Sequence, residues 1–239
     1  GDDVVDLAAD AAWSYSDVGV ALGTTWRAPG YDDSGWSIGV GEFGYGDGDE
    51  NTVVSYGPSA GRKYRTTYFR TAFEATAVPT ELTLGLRVDD GAVVYVNGVE
   101  AARFNMPSGS IGYATAAPSA IWGSAERTDR EFDIDPTLVQ VGTNVIAVEV
   151  HQNTLGSSDL SFLATLVGSS DGSPAPPPPQ PPPPPRRPPD GDVSTLAPTA
   201  TWSYLVEGTD LGSTWSASDF DDSAWATGEG EFGYGDGDE

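Results

Sequence analysis

The sequence contains no cysteine, one histidine and one lysine among its 239 residues. Without cysteine there is no disulfide and no thiolate nucleophile, so stability must come from the core, with bound metal ions as a further source. The lone histidine, His151, leaves no credible serine–histidine–acid triad. We therefore expect no catalytic residues, and the chain is predicted not to be an enzyme.

Positive charge is scarce as well, since 11 lysine and arginine residues face 36 aspartate and glutamate residues, for a net charge of −25. Such a surface repels nucleic acid and anionic membranes. No apolar run approaches the roughly 20 residues of a membrane span. These features exclude a nucleic-acid partner and membrane insertion. They suit a protein that works in salt or gathers divalent cations, and we expect an extracellular or cell-surface location.

The chain repeats itself. Gly41–Glu50 recurs unchanged as Gly230–Glu239, and residues 192–239 resemble 3–50 at a constant offset of 189. The sequence thus predicts a complete module over 1–169, a linker over 170–191 and the N-terminal part of a second, incomplete copy over 192–239. Either that copy is truncated or a neighbouring chain covers it. In the second case, its tryptophans would contact another copy of the module: Trp202, Trp215 and Trp225.

The linker is dominated by proline between residues 174 and 189. Consecutive prolines fix φ and favour the extended polyproline helix, which at about 3.1 Å per residue spans roughly 50 Å here. This composition predicts a semi-rigid spacer. The alternative is a ligand for a proline-reading domain, with Arg186 and Arg187 as the basic pair that such ligands carry.

Strand signals dominate the first module, where 30 glycines and 19 prolines across the chain also favour turns over long helices. Asn97-Gly98 predicts a type I′ hairpin turn, and Asp135 followed by Pro136 predicts one helical turn. The predicted strands are rich in β-branched and aromatic residues or alternate with a period of two: Thr67–Phe73, Leu82–Val88, Ala92–Val96, Asn144–Gln152 and Leu160–Val167.

Three motifs carry a family resemblance: Tyr31-Asp32-Asp33-Ser34-x-Trp36, the stretch from Asp89-Asp90-Gly91 to Asn97-Gly98, and Gly142–His151. Together they resemble the galactose-binding-domain-like jelly roll of accessory domains in large secreted bacterial proteins. They are similar also to the sugar-binding domain of family-two glycoside hydrolases. The resemblance implies an all-β jelly-roll β-sandwich that accompanies enzymes without being one. Because this fold hosts sugar binders, lipid binders and structural modules, it does not define the function.

The glycine-rich loop from Gly44 to Glu50 is the best candidate metal site. Asp47, Asp49 and Glu50 lie within four residues, and Ca²⁺ prefers 6–8 oxygen ligands of this type. The alternative is an acidic surface turn whose glycines adopt positive φ. Four further aspartates are weaker metal candidates: Asp32, Asp33, Asp89 and Asp90.

Aromatic residues are candidates for stacking on a sugar, whose C–H faces pack on rings while acids and amides bind the hydroxyls. We expect Trp13, Trp26 and Trp36 in the core, because they belong to the fold pattern. The exposed contact is predicted at Trp122, which has no evident structural duty. Further ligand-contact candidates are Tyr45, Tyr56, Glu149 and His151, although a cross-strand hydrogen bond of His151 on the sheet, where it shares a face with Glu149, is the plainer interpretation.

One basic cluster, Arg62, Lys63 and Arg65, is predicted to contact the next module or to pair internally with the acidic loop. Two functions follow from the sequence. The first is a non-catalytic structural or adhesive building block of a cell-surface or filamentous assembly, whose partners are other copies of the module. The alternative is a carbohydrate-binding module of a larger secreted hydrolase or adhesin, with a glycan as partner.

Overall fold

The computed structural model describes residues 2–170, 201–204, 221–223 and 225–229. The chain separates into two compact units, Gly1–Pro177 and Pro178–Glu239. The predicted proline-rich linker and Trp215 lie outside the described residues. Within the described part, no helix is both long and apolar enough to cross a membrane.

The first unit is built from short β-strands joined by turns and three single 3₁₀ turns, Thr25–Arg27, Gly123–Ala125 and Pro136–Leu138. Its strands are β1 Asp2–Leu7, β2 Ala12–Ser16, β3 Ser37–Val40, β4 Phe43–Tyr45, β5 Thr52–Val53, β6 Thr66–Ala75, β7 Glu81–Asp89, β8 Gly91–Val96, β9 Val99–Phe104, β10 Arg130–Asp133, β11 Gly142–His151 and β12 Leu160–Ser170.

The strands form two layers that share one core. One layer runs β10-β7-β12, and the other runs β9-β8-β11-β6-β2-β3. Strand β1 lies antiparallel to β12 and pairs with β6 only at Val5–Ala75, so it joins the layers at one edge. Strand β4 continues along the other end of β12. This arrangement confirms the predicted all-β jelly-roll sandwich.

The core lies between the layers because alternate residues of each strand point inward. Phe69 on β6 meets Phe162 on β12 with ring centroids 4.2 Å apart, and Trp13 on β2 packs edge-on against Phe162 at 5.3 Å. The apolar faces of β7, β8 and β11 complete this cluster. Trp13 and Trp26 are both buried, as the sequence indicated. Trp13 belongs to this cluster, and Trp26 belongs to a second one.

This second cluster covers the outer face of the β6–β8–β11 layer. Trp26 packs against Tyr68 and Tyr95, which point away from the main core. The segments around Leu22 and Ile111 close over them, with Trp36 partly buried at the rim. Both faces of β8 are therefore buried, which explains why its sequence is continuously apolar rather than alternating.

Two predicted turns have the expected geometry. Asn97 and Gly98 both have positive φ, 51° and 86°, as a type I′ hairpin requires. The Asp135 side chain accepts a hydrogen bond from the Thr137 amide at 2.9 Å and caps the Pro136–Leu138 turn. Local sequence chemistry is sufficient to specify these features.

In the second unit, β13 Thr201–Tyr204 pairs with β14 Ala226–Glu229 and reproduces the β2–β3 pairing of the first. Trp202 lies opposite Gly228, as Trp13 lies opposite Gly39. The 189-residue repeat is therefore also a structural repeat in these residues. Trp202 is 48% exposed against 2% for Trp13.

Candidate functional site

A buried polar network lies on the outer face of β11, where Glu149 and His151 share one side of the strand. The Glu149 carboxylate accepts a 2.6 Å hydrogen bond from the Tyr95 hydroxyl and pairs with Arg27 at 3.0 Å. His151 Nε2 lies 3.1 Å from the same carboxylate. Burial raises the pKa of Glu149, but the hydrogen bonds from His151 and Tyr95 outweigh it, so this pKa lies below its usual value.

The other ring nitrogen of His151 is also committed. Nδ1 lies 2.8 Å from the Thr115 carbonyl oxygen and 3.0 Å from the Thr66 hydroxyl. Glu149 and His151 are 1% and 0% exposed. They were predicted as ligand contacts, and the structure corrects this, because Trp26 and the covering segments close the face on which they lie. The network stabilises the fold instead of contacting a ligand.

A second polar region forms at the end of the sandwich where β7 ends, β12 begins and β4 lies alongside. Strand β12 is central here, because Ser161 pairs with Asp89 of β7 on one side and with Gly44 of β4 on the other. Asp159, two residues before Ser161, therefore lies between Asp89 and the acidic loop that contains Asp47. Gly44 has to be glycine, since a Cβ there would lie 2.0 Å from the Leu160 carbonyl oxygen.

The three predicted metal ligands of the acidic loop do not converge. The Glu50 carboxylate turns back and accepts hydrogen bonds from the Asp47 and Gly48 amides at 2.9 and 3.0 Å. Asp49 lies at the surface, 3.4 Å from Arg127. Only Asp47 points inward, where its carboxylate and ligand atoms of Glu126 and Asp159 all lie within 4.8 Å of one another.

Asp89 and Asp90 lie beside this group and behave differently. The Asp90 carboxylate accepts from the Ile121 amide at 2.9 Å and the Asn153 amide at 2.7 Å, so it holds two loops. Asp89 is 1% exposed, and neither of its carboxylate oxygens has a hydrogen-bond donor. Burial raises the pKa of Asp89 to about 9, with the neighbouring carboxylates of Asp90 and Asp159 adding to the effect.

The basic cluster is directed inward, not toward another module. Lys63 donates to the Ser157 and Ser158 carbonyls at 2.5 and 2.8 Å. Arg65 donates to the Gln152 and Asn153 carbonyls at 2.6 and 2.8 Å. The two side chains thus fix the 152–158 loop, and of the cluster only Arg62 remains exposed. The predicted inter-module role is corrected for Lys63 and Arg65, because their charged groups are used within the unit.

The predicted aromatic ligand contacts differ in their exposure to solvent. Tyr45 is 6% exposed, with the Lys63 ammonium 4.6 Å from its ring centroid, so it is removed from the ligand candidates. Tyr56 is 39% exposed and packs edge-on against Tyr45. Trp122 is 75% exposed, the most open of the large apolar side chains in the described residues.

The loop that carries Trp122 is held in place by polar contacts. The Asp90 carboxylate accepts a hydrogen bond from the amide of Ile121, the residue before Trp122. Asn105 donates to the Ser119 carbonyl at 2.7 Å. After the tryptophan, Glu126 accepts from the Gly123 amide at 2.9 Å. A depression of about 440 Å³ is lined by Gly123, Ser124, Glu126 and Arg127, which follow Trp122 in the same loop. The indole thus stands on an anchored loop whose following residues carry a carboxylate and a guanidinium group.

Sequence reasoning did not single out Glu126, Gln152 or Asp159 at this end of the molecule. Glu126 lies in a loop without a recognisable motif. Gln152 directly follows His151, which was the only residue at that strand end with evident chemistry. Asp159 could have been found from its place directly before β12, had the pairing of β12 with β7 and β4 been known. That pairing depends on contacts between distant parts of the chain.

No protein-family model and no curated protein matches the chain. Among solved structures, it is similar to a β-glycosidase from Bacteroides vulgatus, with 17% identity over 70% of this chain and 20% of that one and a TM-score of 0.39. A glycosyl hydrolase family 2 member from Bacteroides cellulosilyticus gives 20% identity, 69% and 20% coverage and a TM-score of 0.41. An α-L-rhamnosidase from Streptomyces avermitilis is 20% identical over 69% of this chain and 12% of that one, with a TM-score of 0.33.

One of these structures is described as a member of glycoside hydrolase family 2. The chain spans a fifth or less of the length of these enzymes. Its class is that of an all-β jelly-roll domain, as the strand order shows. The low identity and TM-scores transfer no residue role, so the function is argued from the site.

Proposed function

We propose that the chain is a non-catalytic carbohydrate-binding module of a larger secreted protein, with Trp122 as its main stacking residue. The observation that carries the proposal is the indole of Trp122, 75% exposed on an anchored loop. A flat indole ring in a fixed position fits the apolar C–H face of a sugar. Preorganisation lowers the entropy that binding would otherwise cost.

Two charged side chains that follow Trp122 in its loop suit sugar hydroxyls. The Glu126 carboxylate accepts hydrogen bonds, and the Arg127 guanidinium, 61% exposed, donates them. The net charge of −25 disfavours polyanionic glycans by repulsion. We therefore expect the ligand to be a neutral polysaccharide rather than an acidic one.

The competing function, a structural building block that contacts other copies through its basic cluster, receives less support. Lys63 and Arg65 are turned into the unit and hold the 152–158 loop, so they are not available for such contacts. The exposed indole remains without a role in that account. The observations on the described residues therefore favour the binding module over the filament component.

The proposal predicts that Trp122→Ala removes binding to a neutral polysaccharide. Loss of a central stacking aromatic costs about 2 kcal/mol or more, which is roughly a thirtyfold loss of affinity. The measurement is affinity gel electrophoresis of the full chain through a panel of neutral and acidic polysaccharides. The matched control is Ile38→Ala, because Ile38 is 74% exposed but lies on β3, away from this loop.

Retardation by a neutral polysaccharide that Trp122→Ala abolishes and Ile38→Ala leaves intact supports the proposal. Two results contradict it: migration of the unmodified chain that no polysaccharide changes, and retardation that persists undiminished in Trp122→Ala.

A further inference from the structure

The acidic end of the first unit contains acceptors without donors. Both carboxylate oxygens of Asp89 and the Oε1 atom of Gln152 are buried and have no hydrogen-bond partner among the described residues. The two residues are 1% and 0% exposed. A buried acceptor without a partner costs about 1–3 kcal/mol, and more when it is charged. In the described part of the chain these three oxygen atoms have no hydrogen-bond donor, which distinguishes this end from an ordinary hydrogen-bonded core.

These acceptors lie close to the carboxylate group described above. The Gln152 Nε2 atom donates to the Asp159 backbone carbonyl at 2.7 Å, which holds its side-chain amide beside that residue. Asp89 interacts directly with Asp159, whose carboxylate in turn shares a 4.8 Å cluster with Asp47 and Glu126. Three loops and one strand end thus bring oxygen atoms to one place, although they are distant in sequence.

Three cations act electrostatically on this group. Lys63 interacts with Asp159, and its ammonium also donates to the Ser157 and Ser158 carbonyls. Arg127 interacts with Asp47 and Glu126 and pairs with Asp49 at the surface, and Arg130 interacts with Asp89. In the described part of the chain, the carboxylates of Asp47, Asp89, Asp90, Glu126 and Asp159 still outnumber these cations.

We propose that Asp47, Asp89, Glu126 and Asp159, with the side-chain oxygen of Gln152, form a binding site for one divalent cation of the calcium type. The donors are all oxygens, which hard cations prefer, and the cluster offers no thiolate or imidazole for zinc or copper. Ligands from flexible loops suit Ca²⁺, which accepts 6–8 oxygens in irregular geometry, better than Mg²⁺, which demands an octahedron.

The bound cation would also have a structural role. It would tie together the 41–50 loop, the start of β12 and the 119–128 loop, to which Glu126 belongs. The cation site shares Glu126 with the proposed glycan site. Ca²⁺ binding and polysaccharide binding are measured separately, so the failure of one proposal does not decide the other. The cation site differs from the site expected from sequence, since Asp49 and Glu50 are committed elsewhere.

The test is calorimetric titration of the full chain, stripped with EDTA and dialysed into 150 mM NaCl, with CaCl₂ and separately with MgCl₂. We expect one saturable Ca²⁺ site per chain with Kd below about 0.1 mM, and at least tenfold weaker Mg²⁺ binding. Asp89→Asn and, as a second variant, Asp159→Asn are each expected to weaken Ca²⁺ binding at least tenfold. The control is Asp133→Asn, an exposed carboxylate at the opposite end of the sandwich, which should leave Kd unchanged.

Far-UV circular dichroism of each variant separates loss of the site from loss of the fold, and the titration of the unmodified chain needs no variant. A saturable isotherm that Asp89→Asn or Asp159→Asn weakens and Asp133→Asn does not supports the site. Absence of saturable binding by the unmodified chain at 5 mM Ca²⁺ overturns it. Equal weakening by all three substitutions overturns it too, since the binding would then reflect only the net charge.

Discussion

Glu149→Ala is expected to lower the free energy of unfolding of the first unit by about 3–5 kcal/mol, the cost of removing one partner from a buried ion pair. The substitution leaves the Arg27 guanidinium and the Tyr95 hydroxyl without their acceptor beneath the second apolar cluster. For a unit of this size, each kcal/mol shifts the melting temperature by about 2–4 °C. Thermal unfolding followed by circular dichroism should therefore show a drop of roughly 10 °C.

The matched control is Glu131→Ala, since Glu131 is an exposed glutamate on β10 whose loss should change stability by no more than about 0.5 kcal/mol. The pH dependence gives a second check. Because the folded-state pKa of Glu149 is lowered, its contribution is present above the unfolded pKa of about 4.3 and is lost as the pH falls through the folded value. Glu149→Ala should therefore matter less in acid. Equal melting temperatures for Glu149→Ala and Glu131→Ala at pH 7 would contradict the account.

Phe162→Ala is the second large effect that we expect. Phe162 is fully buried on β12 and touches Phe69 at 4.2 Å and Trp13 at 5.3 Å between ring centroids. Truncating a core phenylalanine removes buried apolar surface and leaves a cavity, at a cost of about 3–5 kcal/mol. The same residue joins the two layers, so its loss should destabilise the whole unit rather than one edge.

Chemical denaturation of the full chain measures this cost through the midpoint of the first unit. Val167→Ala is the control, because Val167 lies on the same strand but is 42% exposed. We expect a shift within about 0.5 kcal/mol for the control. A Phe162→Ala midpoint as high as that of the control would show that the aromatic contact between the layers is not central to the core.

The strands and turns of this fold could be predicted because their signals are local. The alternation in β7, the Asn97-Gly98 turn and the Asp135 cap each depend on neighbouring residues alone. The repeat could be predicted as well, and the matching pairs of Trp13 with Gly39 and Trp202 with Gly228 show that the two repeated segments have the same strand register.

The candidate site could be predicted only in part. Trp122 stood out because nothing in the sequence assigned it to the core, and its exposure agrees with that reasoning. The convergence of Asp89 with Asp159 depends on the register between β7 and β12, which closes a loop of about seventy residues and has no local signal. The inward orientation of Lys63 likewise depends on the position of the 152–158 loop. For this reason the sequence alone could not show that the Lys63 ammonium is bound within the unit.

The most direct test of the carbohydrate-binding proposal is a ¹H–¹⁵N spectrum of the indole groups, recorded on the full chain while an oligosaccharide of the retained polysaccharide is added. The chain has seven tryptophans, and Trp122→Phe identifies the signal of interest. The account predicts that the Trp122 indole shows the largest saturable shift, while the buried Trp13 and Trp26 signals stay in place. A Trp122 signal that does not move at saturating oligosaccharide, while other signals shift, would contradict it.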